Sequence, residues 1–220
     1  MQIQQYIWDV VDSNSWLITE NNHGLLIDAV DNQELFEAIQ SLESLTIILT
    51  HCHFDHICGL NRIREIRPDA KVIATKLCSE HIGNKYRNMS SSADAFLAFY
   101  QQGNKRNIHI DSFVCSPAEI VFEIDMRLDW NGHQIMMYAV HGHSADGLVL
   151  NLNGKQLFSG DTLLETPTVT RLPGGNTSKF WREDIPLIIS MKTETVYPGH
   201  GNKRNTAEML QNAVDLGNNV

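Results

Sequence analysis

The sequence lacks several features that would each suggest a class of function. Its longest apolar stretches, such as Leu45–Leu49 and Ile135–Val140, fall far short of the roughly 20 residues that a membrane span needs. Basic residues are outnumbered, 17 Lys and Arg against 26 Asp and Glu, and no basic stripe stands out. A net charge of −9 disfavours nucleic-acid partners, whose binding rests on neutralised phosphates. The four cysteines, Cys52, Cys58, Cys78 and Cys115, are too sparse over 220 residues for a disulfide framework. The N-terminal MQIQQYIWDVVDS has no basic n-region and no long apolar core, so no signal peptide is read and a cytoplasmic protein is expected. No Pro/Ser-rich linker and no internal repeat divides the chain, which points to a single domain over 1–220. Apolar residues at 42% and charged residues at 20% are ordinary for a globular chain and exclude disorder, a collagen-like repeat or a long coiled coil.

What is present alternates between strand and helix patterns. Ser15–Thr19 and Leu25–Asp28 read as strands around a polar turn at Glu20–Gly24, where Asn and Gly tolerate positive φ. Leu35, Ala38 and Leu42 recur at helical spacing over Gln33–Leu42. Leu45–Thr50 is a β-branched run suited to a strand covered on both faces. Ile57, Leu60, Ile63 and Ile66 then predict one amphipathic helix over His56–Ile66, ended by Pro68, before a buried strand at Lys71–Thr75. Strand, helix, strand is a βαβ unit. The span from Lys76 to about Ser116 is looser. It holds a capped helix at Ser90–Tyr100, with Ser92 or Asp94 near its start, and aromatics Tyr86, Phe96, Phe99 and Tyr100 that suit a local core. Short strands resume at Val121–Ile124, Met126–Trp130, Gln134–Val140, Leu148–Leu152 and Gln156–Ser159, with Asn131-Gly132 and Asn153-Gly154 as hairpin turns. A helix at Trp181–Met191 and a strand at Thr195–Tyr197 complete the pattern.

Ten histidines give the sequence its chemistry. His51-Cys-His-Phe-Asp-His56 follows immediately on the buried strand Leu45–Thr50. Side chains two apart in an extended segment point the same way, so His51 and His53 can grip one ion together. Asp55 and His56, at the turn into the helix, can address a second ion. Three more segments place a histidine or aspartate after a strand: His141-Gly-His143-Ser-Ala-Asp-Gly147, Phe158-Ser-Gly-Asp161-Thr, and Tyr197-Pro-Gly-His200-Gly.

With these four segments in order, the sequence resembles the metallo-β-lactamase superfamily, and more closely its glyoxalase-II-like hydrolases. The resemblance covers nearly the whole chain, from an opening hairpin at Asn14–Asp28 to Pro198-Gly-His-Gly201. It implies an αββα sandwich, two mixed sheets flanked by helices, with a substrate-shaping insertion at about 76–116. It implies a dinuclear site in which His51, His53 and His143 hold metal one. Asp55, His56 and His200 would hold metal two, and Asp161 would bridge them. Asp55 is also the candidate catalytic residue, and Asp28 would orient a ligand by a hydrogen bond. Five histidines and two carboxylates suit Zn²⁺, with Fe or Mn as alternatives. Two such ions roughly 3.5–4 Å apart generate a hydroxide that attacks a carbonyl and stabilise the resulting oxyanion.

Departures from the family pattern narrow the reading. Asp161 stands where the commonest zinc β-lactamases carry a cysteine, against antibiotic hydrolysis. His53 stands where flavodiiron oxygen reductases carry a glutamate. His141-Gly-His143 replaces the usual Thr-Pro-Gly-His, which makes His141 an additional candidate near the site. Cys52, turned opposite to its histidine neighbours, is expected to pack as a small apolar residue. The expected activity is hydrolysis of a small ester, thioester or lactone, with a small-molecule acyl substrate as the partner. Two alternatives stay open: a mononuclear iron persulfide dioxygenase using His51, His143 and Asp161, and a metal-dependent tailoring or binding protein of a biosynthetic pathway.

Overall fold

Asn21 and Asn22 both adopt positive φ, 49° and 65°, and fold strand β2 (Ser13–Glu20) tightly back onto β3 (His23–Ile27). This is the hairpin the polar turn predicts, because Asn accepts the left-handed region at little cost. The structure, a computed structural model, describes residues 1–100 and 108–217. Packing divides the chain into two compact units, Met1–Ile73 with Cys78–Ile120, and Ala74–Leu77 with Val121–Val220.

The first unit is built on a mixed sheet in the order β1-β2-β3-β4-β5-β6. β1 (Gln2–Trp8) pairs antiparallel with β2, while β3, β4 (Ser44–Ile48) and β5 (Lys71–Thr75) run parallel, as the βαβ pattern requires. β6 (Ile120–Phe122) lies at the edge. Helix α1 (Gln33–Gln40) is capped by Asn32, whose side chain accepts from the Leu35 N–H, and it buries Leu35, Phe36 and Ile39. Ile27, Ile47 and Ile48 are essentially inaccessible, so these strands are covered on both faces.

The helix expected over His56–Ile66 is two: α2 (Phe54–Ile57) and α3 (Leu60–Ile66). Gly59 breaks it. Its N–H donates to the Ala29 carbonyl at 2.8 Å, and a Cβ there would sit 2.7 Å from the Val30 carbonyl carbon. Periodicity alone carries no sign of that backbone approach.

In the 76–116 span, α4 (Lys76–His81) extends directly from β5, an element the loose pattern hides. The predicted Ser90–Tyr100 helix is a 3₁₀ turn at Ser90–Ser92 followed by α5 (Ala93–Tyr100). Ser92 directly precedes α5 and Asp94 lies in its first turn. Met89 stands at the start with φ 64°, and the Asp94 carboxylate accepts from the Ile110 N–H and pairs with His109. Tyr86 is 73% exposed, so it belongs to no local core; the side chains of Phe99 and Tyr100 lie outside the described residues.

The second unit carries the other mixed sheet, ordered β12-β11-β10-β9-β8-β7. β7 (Asp125–Trp130), β8 (His133–Val140), β9 (Gly147–Leu152) and β10 (Gln156–Gly160) form an antiparallel meander. Asn131-Gly132 and Asn153-Gly154 make two of its three turns with all four φ positive, as Asn-Gly pairs do. The helical stretch starts earlier than Trp181: α6 (Thr177–Lys179) leads into a π-helical turn at Phe180–Asp184 and then α7 (Ile185–Met191). β11 (Thr195–Pro198) joins β10 in parallel, and β12 (Arg204–Asn205) closes the edge. A last helix, α8 (Thr206–Gly217), seats Met209 against Val149, Leu157, Ile188 and Val196. No helix among the described residues is long and apolar enough to cross a membrane.

Candidate metal centre

In the first unit the parallel strands β3 and β4 end side by side, and the site begins where they stop. Asp28 follows β3 with φ 60°, an uncommon conformation for a non-glycine residue that turns its carboxylate toward the end of β4. Buried at 2% exposure, that carboxylate accepts from the Thr50 N–H and the Thr50 hydroxyl, both at 2.7 Å, and from His56 Nδ1 at 3.0 Å. A carboxylate only accepts, so His56 carries its proton on Nδ1 and turns the Nε2 lone pair away. The Thr50 hydroxyl has spent its hydrogen on Asp28. It therefore accepts from His51 Nδ1 at 3.0 Å, which leaves a lone pair on His51 Nε2 as well. One buried carboxylate thus fixes two imidazoles. His51 Nε2 and His53 Nδ1 approach to 3.1 Å with their rings edge to face, as expected of alternate residues in an extended segment. Asp55 Oδ2 lies 3.4 Å from His56 Nε2, and the Ser13 hydroxyl on β2 ties down the Asp55 carbonyl.

The second unit contains the other three predicted residues, His143, Asp161 and His200. β8, β10 and β11 all point the same way, since β8 and β10 are each antiparallel to β9 and β11 is parallel to β10. His143, Asp161 and His200 consequently follow three strand ends at one edge of the sheet. A register shift between Phe158 and Gly160, with Gly160 at φ 48°, re-aims the chain just before Asp161. Asp161 Oδ2 faces His143 Nε2 at 3.6 Å and His200 Nε2 at 3.4 Å. His143 Nδ1 donates to the Val169 carbonyl at 2.8 Å, so its Nε2 presents a lone pair to a buried carboxylate. Two electron-rich atoms this close are relieved by a proton or a metal cation held between them. The donor set therefore fits a divalent metal: imidazoles oriented through their second nitrogens, and a carboxylate shared by two of them.

Among the remaining candidates, the structure separates roles. His141 is half-buried and bonds through Nδ1 to the Ala145 carbonyl. Cys52 is buried as expected, yet it is more than an apolar filler, because its thiol donates to the Arg87 carbonyl at 3.3 Å. His109 is an exposed partner of Asp94 and Asp111, His23 pairs with Ser44, and His133 stacks on Trp130. Thr50 and Val169 were missed by sequence reading. Thr50 was legible as a polar residue ending an apolar strand, whereas a backbone carbonyl such as that of Val169 leaves no sequence signal.

The chain is similar to several known proteins. The chain is 30% identical over 212 residues to a probable metallo-hydrolase of Streptococcus pyogenes serotype M6, covering 91% of this chain and 84% of that one. It is 26% identical over 208 residues to a hydroxyacylglutathione hydrolase of Francisella tularensis subsp. novicida, covering 90% and 75%. Among solved structures, the BLEG-1 B3 metallo-beta-lactamase superposes with a TM-score of 0.76 at 20% identity over 96% of this chain and 97% of that one. TTHA1623, solved in a di-iron-bound form, gives 0.68 at 25% identity over 93% and 95%. These likenesses bear out the expected fold of two mixed sheets flanked by helices. The sequence profile of the metallo-beta-lactamase superfamily matches residues 8–200, which takes in every ligand candidate from His51 to His200, and the chain belongs to that superfamily.

Proposed function

We propose that this protein is a dinuclear metal-dependent hydrolase of a small ester, thioester or lactone. The proposed metal ligands are His51, His53, Asp55, His56, His143, Asp161 and His200. The observation that carries the reading is Asp161 Oδ2 facing two imidazole Nε2 atoms, one of them with its tautomer fixed by Val169. A carboxylate in that position suits a bridge between two cations. Zinc, iron or manganese would lower the pKa of a bound water and polarise the substrate carbonyl. The protein's own part is orientation and proton handling. Asp28 and Thr50 hold His51 and His56 in the tautomers that leave Nε2 lone pairs available. Asp55, whose side chain keeps some solvent access, is placed to take up or pass on a proton as the leaving group departs. The hydroxyacylglutathione hydrolase and probable metallo-hydrolase relatives support the choice of hydrolysis and of an acyl substrate. The di-iron form of TTHA1623 supports two ions.

The test is metal analysis of the purified chain together with an ester, thioester and lactone panel run without oxygen. Two ions per chain and oxygen-independent turnover, lost in His56→Ala, support the proposal. Oxygen consumption with a glutathione persulfide by an iron-loaded protein, unaffected by His56→Ala, would overturn it in favour of a dioxygenase.

A further inference from the structure

Asp184 sits in the middle of a helical stretch, 2% exposed, and so far has no role. Both of its carboxylate oxygens are committed to one turn of backbone. Oδ1 accepts from the His141 N–H at 3.2 Å and Oδ2 from the Gly142 N–H at 2.7 Å. These are the two residues immediately before His143. The carboxylate reaches them because the helix is locally π-helical: the Ile185 N–H bonds to the Phe180 carbonyl, five residues back. Such turns insert an extra residue and shift the side chains that follow. The same helix start fixes the other side of the turn. The Asn176 N–H donates to the Gly142 carbonyl at 2.7 Å, while the Asn176 side chain caps the helix by accepting from the Lys179 N–H. Gly142 is needed for the fit, since a Cβ there would meet Asp184 Oδ2 at 2.5 Å and Phe180 Cβ at 2.6 Å. Every hydrogen-bonding group of the Gly142 backbone is thus held by the 176–184 stretch.

We infer that Asp184 is a positioning residue for the metal ligand His143, acting through the backbone of His141 and Gly142. A neutral helix residue would satisfy ordinary packing at this buried position. A carboxylate aimed at two consecutive N–H groups sets the direction in which the chain leaves β8, and therefore where the His143 ring stands relative to Asp161 and Val169. The π-helical turn is the local distortion that puts the carboxylate there.

The inference rests on the proposed metal centre, and the experiment separates the two. Wild-type protein is titrated with Co²⁺ alone, reading the visible absorption of the bound ion and its affinity in competition with a chelator. Absence of Co²⁺ binding by the wild type would end the metal-centre reading itself. Asp184→Asn keeps the shape but turns an amide toward one of the two N–H groups. It is expected to shift the cobalt spectrum and to weaken affinity roughly ten-fold or more, the usual scale for a group that orients a ligand. Asp184→Glu, which keeps the charge and displaces it by one methylene, serves in its place if the amide variant does not fold. Ile188→Val, a core truncation in the same helical stretch, controls for general loosening and is expected to leave the spectrum unchanged. A wild-type spectrum and affinity in a folded Asp184 variant would overturn the inference, as would an equal spectral shift in Ile188→Val.

Discussion

Asp28 and His56 lie 28 residues apart in sequence and 3.0 Å apart in space, joined carboxylate to Nδ1 with neither exposed to solvent. The contact is secured by backbone rather than by chance packing. Ala29 donates to the His56 carbonyl at 2.8 Å and Gly59 donates back to Ala29 at 2.8 Å, so the segment after β3 and the turn carrying His56 are stitched together. The imidazole is oriented before any ion arrives.

Asp28→Asn tests that preorientation. The amide presents hydrogens where Asp28 now accepts from three donors, so at least one of the Thr50 and His56 bonds is lost. Metal affinity is expected to fall by roughly ten- to a hundred-fold, as for other groups that orient a ligand. Chelator competition on the purified variant measures it; an affinity equal to wild type would show that His51 and His56 need no such support.

His53→Ala should separate the ligands from the residues that orient them. His53 contributes a ring nitrogen facing His51 Nε2 at 3.1 Å, and the proposed centre needs both. Wild-type protein is expected to hold about two ions per chain and the variant distinctly fewer, with activity falling in parallel. Elemental analysis after dialysis provides the count. Full metal content in the variant would remove His53 from the ligand set.

The strand ends were legible because they obey a local rule. A buried β-branched run followed by His51-Cys-His53 announces where the strand stops and which side chains share a direction, and β10 and β11 repeat this at Asp161 and His200. Alternation and Asn-Gly turns likewise locate most of the second sheet. What escaped depends on distant backbone. Gly59 splits a helix that periodicity draws as continuous, because only the fold brings Val30 against it. β1 carries Gln at three of its seven positions, with apolar residues consecutive only at Tyr6–Trp8, yet its pairing with β2 is complete from Gln2 to Trp8. The π-helical turn at Phe180–Asp184 cannot be seen as a period, and with it the sequence conceals why an aspartate is buried there.

The two kinds of glycine in this chain should respond differently to alanine. At Gly59 the backbone φ is ordinary and the obstacle is the Val30 carbonyl, which cannot move without disturbing Asp28 next door. Gly59→Ala is expected to cost about 1–3 kcal/mol, the range for overpacking a well-fitted site. Gly132 has φ 80° with nothing within 4 Å, so Gly132→Ala meets only the left-handed backbone penalty, about 1 kcal/mol. Thermal unfolding should therefore rank Gly59→Ala below Gly132→Ala, and only Gly59→Ala should also weaken metal binding. The reverse ranking would mean that the α2–α3 break is soft.

His109 offers a pH-dependent contact away from the proposed centre. Its imidazole Nδ1 lies 2.6 Å from Asp94 Oδ2 and Nε2 lies 3.2 Å from Asp111 Oδ1, and hydrogen bonding to Asp94 raises its pKa above the ordinary histidine value. Asp94 moves the opposite way, lowered first by the Ile110 N–H and then by His109. The signs fix the windows. A raised histidine binds its proton more tightly in the folded chain, so its contribution is complete below the ordinary histidine pKa and is lost as pH rises through the raised one. Lowered Asp94 contributes above the ordinary carboxylate pKa and loses that contribution as pH falls through its lowered value. The ion pair is therefore intact from mildly acidic to near-neutral pH. Both groups are exposed, so screening keeps the effect on global stability small, and the sensitive readout is the titration itself. In NMR the His109 ring protons should titrate with a midpoint above that of a histidine in an unstructured peptide, and Asp94→Asn should bring the midpoint down. An unshifted His109 in the wild type, or a midpoint indifferent to Asp94→Asn, would show that Asp94 and His109 do not pair in solution.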